Sequence, residues 1–174
     1  MLKIRKLTVK DRLSVYEILQ QDEILLPGEI NTTMTRIDDY LFNKNDRRNR
    51  AIVVEDENAK ILGYAGYGYD EQAIGTYNIY RIAISPIMES QKVKEELIFN
   101  IELDILKNGG RLIVVKTPSH EKYESIRDIY LKHHYHLSTS IKDYYATGID
   151  QLILIKNLDV ANALKSKDNL VNYT

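Results

Sequence analysis

The chain has 174 residues, with 24 Lys and Arg against 25 Asp and Glu and a formal net charge of −1. That length points to one domain able to bury a full core without staples, and the balanced charge gives no reason to expect a nucleic acid or an anionic membrane as partner. The absence of cysteine excludes disulfides, thiol catalysis and Cys-based zinc sites, and suits a reducing compartment.

Met1 to Lys6 alternates apolar and basic residues and lacks the continuous apolar stretch of a signal peptide, and no run is long enough to span a bilayer. A cytoplasmic location is therefore expected. Leu2 to Leu7 predicts a short first strand. Thr8 with Asp11 three residues on resembles a capping box, opening a helix to about Gln20 with Leu13, Tyr16, Ile18 and Leu19 on its buried side. Pro27-Gly28 is expected to break it, and a second helix should run from about Thr33 to Phe42. Residues 43–50 read as a polar, basic loop. Ala51–Glu55 and Ile61–Tyr69 form a hairpin around the turn at 56–60, and Gly75–Ile84 is a further strand.

Ser90 can cap a long helix from Gln91 to about Lys107, with Val93, Leu97, Ile98, Ile101 and Ile105 as its apolar stripe and Gly109-Gly110 as its stop. Arg111–Val115 is a short apolar strand of the kind buried on both faces. A helix follows from Glu121 to about His133, and Tyr135–Ser140 with Gln151–Lys156 close the domain as a hairpin. The polar residues 159–174 are expected to form a weak helix or a tail. The order β-α-α-β-β-β-α-β-α-β-β implies a right-handed parallel crossover in the middle of a mixed α/β sheet of six or seven strands, with helices on both faces.

Four motifs in this order carry a resemblance. Gly75–Pro86 ends in Ile84-Ser85-Pro86, a Val/Ile-x-Pro pattern. Thr117, Tyr123, Arg127, Tyr130 and Tyr135 fall in a T-(x)n-Y-xxx-R-x-F-Y-xxxx-F/Y spacing. Asp143-Tyr144-Tyr145-Ala146-Thr147-Gly148-Ile149-Asp150 is similar to D-Y/F-Y-A-P-G-D-D, and Ile153–Leu158 matches a final strand. Together they resemble the GNAT superfamily of N-acetyltransferases over about residues 2–158. The resemblance implies a transferase that moves an acetyl group from acetyl-CoA to a primary amine, on a small molecule or a peptide. Homodimer formation through an exposed sheet edge is compatible with it.

The resemblance places acetyl-CoA against the fourth strand at Ile82, Ala83 and Ile84, and its pyrophosphate at Glu89, Ser90, Gln91, Lys92, Val93 and Lys94. Family members carry P-x-x-Q/R-G-x-G-x-G/A there. This chain has no glycine in Pro86–Lys94 and has Glu89 at the Gln/Arg position. Helix N-terminal amides hold a pyrophosphate best when glycines let it approach. Either Lys92 and Lys94 replace that cradle by direct charge, or Ser90–Val93 is an ordinary capped helix start and cofactor affinity has decayed. The second case would leave a binding or regulatory module in place of an enzyme.

The family's general acid falls on Tyr130, whose phenol, with an ordinary pKa near ~10, suits protonation of a leaving thiolate. A core aromatic is its alternative role. No strong base stands on the fourth strand, where Asn78 and Tyr80 are the nearest candidates. Glu29, Asp38 and Asp39 fall in the helical region that lines the acceptor side of this fold. They would attract a cationic amine, or simply solvate a helix face. The run His133-His134-Tyr135-His136 lacks a carboxylate at ligand spacing, so no metal is expected. Arg47-Arg48-Asn49-Arg50 reads as a solvated loop. Gly63, Gly66 and Gly68 lie within a strand, where bulges or close packing account for them better than a nucleotide loop.

Overall fold

A computed structural model describes residues 2–22, 25, 27–43, 45–86 and 91–159. Thus Glu89, Ser90 and the tail at 160–174 lie outside the described residues. The elements are β1 (Lys3–Lys6), a 3-10 turn at Val9–Asp11, α1 (Arg12–Gln21), α2 (Pro27–Phe42), β2 (Arg50–Glu55), β3 (Ile61–Tyr69) and β4 (Thr76–Ile84). They continue as α3 (Gln91–Lys107), β5 (Leu112–Pro118), a 3-10 turn at Glu121–Tyr123, α4 (Glu124–Lys132), β6 (His136–Ala146) and β7 (Ile149–Asn157). The order is the one expected. The sheet has seven strands in the order β1-β2-β3-β4-β5-β7-β6. Every pairing is antiparallel except β4 with β5.

Two hydrophobic clusters sandwich the sheet. Val93, Leu97, Ile98, Ile101 and Ile105 of α3 and Ile129 of α4 pack on one face with Tyr77, Ile79, Ile113 and Val115. Val15, Ile18 and Leu19 of α1 and Met34 and Ile37 of α2 pack on the other with Ala51, Val53, Tyr64 and Ala83. The five apolar residues of α3 form the predicted stripe, and each is almost fully buried. Such burial is worth about 1.5–3 kcal/mol per side chain, which anchors the crossover helix.

The N-terminus is pinned by charge. The Thr8 amide and hydroxyl both donate to Asp11 Oδ2 at 2.8 Å. Arg5 bridges Asp11 and Glu55 at 2.7 Å, and its guanidinium holds the Asp11 carboxyl down to about 2.

Several boundaries differ from the sequence reading. Leu13 is 65% exposed, and the buried arc of α1 is Val15, Ile18 and Leu19. Leu13 lies about 200° round the helix from Val15, so one arc cannot hold both. Pro27 does not break a helix but opens α2, at a position where its missing N–H costs nothing. β5 runs on to Pro118 because Lys116, Thr117 and Pro118 continue to pair with β7. β6 and β7 extend to a tight turn at Thr147-Gly148, where Asp143 accepts the Gly148 N–H at 2.6 Å and Gly148 adopts φ 81°. The glycines of β3 do serve close packing. A Cβ at Gly68 would collide with the Arg48 carbonyl, and one at Gly66 with the Tyr64 hydroxyl.

Behind α4 lies a buried polar cluster. Lys156 Nζ of β7 donates to Glu102 Oε2 of α3 at 2.7 Å, and both side chains are 2% exposed. Tyr135 and His133 pack in the same region: Lys156 Nζ lies 5.5 Å from the Tyr135 ring centre, and its charge reaches His133. Burial pushes the Tyr135 phenol well above its ordinary value, with Glu102 adding to the effect. Burial, with Lys156 and His134, holds the His133 imidazole down to about 4.

Two outcomes follow from this cluster. Lys156→Met should cost about 3–5 kcal/mol by leaving Glu102 charged and buried, and adding Glu102→Leu should recover most of that loss; denaturant melts of both variants read it directly. His133 is neutral in the fold, so its stabilising effect is complete above its unfolded pKa of 6.5 and is lost as pH falls toward about 4. Over that window wild type should lose up to about 3 kcal/mol more than His133→Gln, and parallel stability curves for the two proteins would refute the assignment.

Candidate active site

The site begins with a bulge. Tyr67 pairs with Ile79 and Gly66 with Arg81, so Tyr80 is an extra residue in β4. A regular strand would put Tyr80 and Arg81 on opposite faces. Here both turn toward α2: the Arg36 guanidinium lies 3.8 Å over the Tyr80 ring, and Arg81 Nη2 donates to Glu29 Oε1 at 2.7 Å. Beyond the bulge, Ile82 and Ile84 pack toward α3, and Ala83 rejoins the α1–α2 core.

At the same point β4 and β5 separate. Their parallel pairing runs from Thr76↔Leu112 to Ile79↔Val115 and stops, whereas β5 continues against β7. The Ser85 amide returns to Leu62 O of β3 at 2.8 Å. Strand alternation then sends the Ala83 N–H to β3 as well, and turns the Ile82 and Ile84 N–H groups into the opening. These are two backbone donors without a strand partner among the described residues.

A cavity of about 590 Å³ fills the opening, walled by Ile82, Ala83, Ile84, Pro86, Lys94 and Tyr130, among others. Tyr130, from α4, is 3% exposed and makes an edge contact with Tyr135 at 5.1 Å. Burial pushes its phenol well above the ordinary value, with Arg81 pulling the other way, so at neutral pH it holds its proton. Lys94, in the first turn of α3, lines the cavity. The neighbouring positions do not: Val93 packs into the core, Lys92 is exposed, and Gln91 Nε2 donates to Glu95 Oε1 at 2.9 Å. That first turn carries no acid.

A second cavity, of about 610 Å³, lies on the α2 side and shares Glu29, Ile79, Tyr80, Arg81 and Lys116 with the first. The two meet over the bulge, with the Arg81–Glu29 pair between them. Asn78 lines the second cavity, with its amide 3.4 Å from Asp70. The acids that look equivalent in sequence are dispersed. Asp38 is held by Arg12 at 2.6 and 2.8 Å, its carboxyl lowered by that contact, and lines neither cavity. Asp39 lines a smaller hollow beside Arg36, Arg48 and Asn49.

The structure adds Arg36, Arg81, Lys116 and Tyr123 to the site. Burial raises the Tyr123 phenol, and Glu29 adds to the shift. Three of the four left a signal in the sequence: Tyr123 falls in the Tyr-xxx-Arg spacing with Arg127, Arg81 interrupts the apolar run Ile79–Ile84, and Lys116 directly follows the apolar strand Leu112–Val115. A charge inside such a run is unusual unless it is paired or faces a ligand.

No family model and no curated protein matches the sequence. Solved structures do match. A protein assigned to the GNAT acetyltransferases from Desulfovibrio desulfuricans superposes with a TM-score of 0.85 at 23% identity, over 90% of this chain and 99% of its own. The ribosomal-protein-alanine N-acetyltransferase of Brucella melitensis gives 0.72 at 14% identity, over 90% and 99%. The aminoglycoside 6'-N-acetyltransferase of Enterococcus faecium gives 0.70 at 11% identity, over 89% and 96%. At these identities the likeness establishes the fold, and that fold is the GNAT fold of the N-acetyltransferases.

Proposed function

We propose that the protein is an N-acetyltransferase that moves an acetyl group from acetyl-CoA to a primary amine. The observation that carries this reading is the bulged, splayed end of β4, which turns the Ile82 and Ile84 amides into a cavity walled by the protonated phenol of Tyr130. Acetyl-CoA supplies a thioester whose carbonyl gains negative charge when an amine attacks. Two fixed N–H donors suit that charge because they need no reorganisation as it develops. The Tyr130 hydroxyl is the proton source for the departing thiolate. Burial raises the phenol, and the same apolar surroundings raise the proton affinity of a thiolate beside it, so donor and acceptor stay matched.

Glu29 is a weak candidate for a base, since its carboxylate is engaged by Arg81 at 2.7 Å. The amine then gives up its proton to water, and the rate should climb with pH toward the amine's own pKa. For the pyrophosphate, Lys94 and the amides of the acid-free first turn of α3 are the groups on hand. A second reading, a domain that binds without transferring, rests on the absence of glycine from Pro86–Lys94; it requires that no amine release free thiol from acetyl-CoA.

Calorimetric titration with acetyl-CoA should give a Kd of about 100 μM or weaker, against the tens of micromolar or tighter common for such enzymes. Lys94→Ala should weaken it several-fold further, by a margin that shrinks with added salt. Low-micromolar binding that Lys94→Ala leaves intact would remove both the weak-loop argument and the role of Lys94. With an amine identified by thiol release, Tyr130→Phe should lower kcat by about a hundredfold or more while changing acetyl-CoA affinity little. An unchanged kcat in a folded variant would return Tyr130 to the status of a core aromatic.

A further inference from the structure

The second cavity identifies a class of acceptor once its charges are assigned to partners. Four cations line it, Arg36, Arg48, Arg81 and Lys116, against three carboxylates, Glu29, Asp70 and Glu71. Glu29 is engaged by Arg81. Arg48 is engaged by Asp46 at 3.0 Å, with Glu71 4.0 Å away. Asp70 accepts the Gln72 amide at 3.0 Å and lies 3.4 Å from the Asn78 side-chain amide. Two cations then remain without a carboxylate among the described residues. Among the described residues Arg36 donates to the neutral Asn49 Oδ1, at 3.2 Å, and meets the Tyr80 phenol, also a neutral group. It makes no ion pair with Asp39, which shares the neighbouring hollow. Lys116 is exposed and has no hydrogen bond or ion pair among the described residues. Arg81 Nε is a third cationic donor, buried and without a hydrogen bond there.

These groups are placed together by the bulge. Tyr80 immediately follows Ile79 and Lys116 immediately follows Val115, the last parallel pair, so the two residues face each other across the start of the opening. Arg36 lies flat on the Tyr80 ring. Stacking of this kind fixes the plane of a guanidinium and leaves its edge donors available for a two-point contact with an oxyanion. A diamine or other polycation would instead bring further positive charge to a cavity that is already lined by four cations against three carboxylates.

The geometry points to an acceptor that carries an oxyanion, a carboxylate or a phosphate, on the same molecule as its reacting amine, with Arg36 and Lys116 holding the oxyanion beside Tyr80. This rests on the acetyltransferase reading for the identity of the amine as the reacting group. It reverses the attraction of a cationic acceptor expected from Glu29, Asp38 and Asp39. Asp38 lines neither cavity, and Glu29 is neutralised by Arg81.

The test uses the full chain without acetyl-CoA and four amines of similar length: 5-aminopentanoate, 3-aminopropyl phosphate, pentylamine and 1,5-diaminopentane. Binding is followed by calorimetry and by ligand-observed NMR. At least one of the two anionic amines should bind about tenfold or more tightly than pentylamine, and the diamine most weakly; the tighter anionic amine distinguishes carboxylate from phosphate. Lys116→Gln and Arg36→Gln should each shrink the preference several-fold by weakening the anionic amines. Lys116 has no partner to lose among the described residues, so its variant tests the idea even where Arg36→Gln fails to fold. The inference falls if pentylamine or the diamine binds as well as the anionic amines, if neither anionic amine binds at about 10 mM, or if the preference survives Lys116→Gln. Preferential binding with no acetyl transfer would uphold this inference and overturn the proposed activity. Transfer to pentylamine as efficient as to both 5-aminopentanoate and 3-aminopropyl phosphate would do the reverse.

Discussion

The parallel contact between β4 and β5 lasts only from Thr76 to Ile79, and the site depends on its ending there. Had it continued, the Ile82 and Ile84 amides would belong to a sheet ladder and the cavity between the strands would not exist. Two features end it. The extra residue at Tyr80 turns β4, and a bulge increases local twist. On the other side, β5 has β7 as an antiparallel partner through Pro118, so it loses nothing by leaving β4. The crossover helix α3 holds the two halves at the lower end, where its five buried apolar residues pack against β4 and β5.

The same bulge explains what the sequence could and could not convey about the site. Hydrophobic spacing is a local property, and it located α3 from Gln91 to Lys107 and the hairpin of β2 and β3 with little error. Motif spacing located Tyr130, which the structure brings to the wall of the cavity with Ile82, Ala83 and Ile84. A bulge changes the phase of a strand without changing its composition, so Tyr80 and Arg81 appear to face opposite ways until the pairing of β3 is known. Which carboxylate is free is likewise a tertiary matter. Glu29 and Asp38 both lie on α2, but Arg12 engages one and Arg81 the other. Of the two pairs, Arg81–Glu29 stands at the two cavities described and Arg12–Asp38 lines neither.

Strand lengths were underestimated for a related reason. Lys116, Pro118, Lys142 and Asp143 have weak intrinsic strand character and interrupt the runs that contain them, yet β5 and β6 pass through them because β7 extends alongside both. The exposure of Leu13 has the same origin. The orientation of α1 is set by the Thr8–Asp11 turn and the Arg5 bridge, and these turn Val15, Ile18 and Leu19 to the sheet. Composition placed enough apolar residues on α1, but contacts from β1 and β2 selected the arc that is buried.

Stability and chemistry converge on the region behind Tyr130. One side of its ring is near the open cavity. The other touches Tyr135, which packs with Glu102 and Lys156. A lone carboxylate buried there would be costly, and its field would act on the phenol, since Glu102 already contributes to raising Tyr130. Lys156 offsets most of that charge at 2.7 Å, so burial remains the main reason the phenol keeps its proton. The Arg81–Glu29 pair is built from the same chemistry in a different setting. It is part-exposed, stands where two cavities meet, and leaves Arg81 Nε without a hydrogen bond among the described residues. A sealed pair holds α3 to β7, whereas a pair open to two cavities can exchange contacts with whatever enters them.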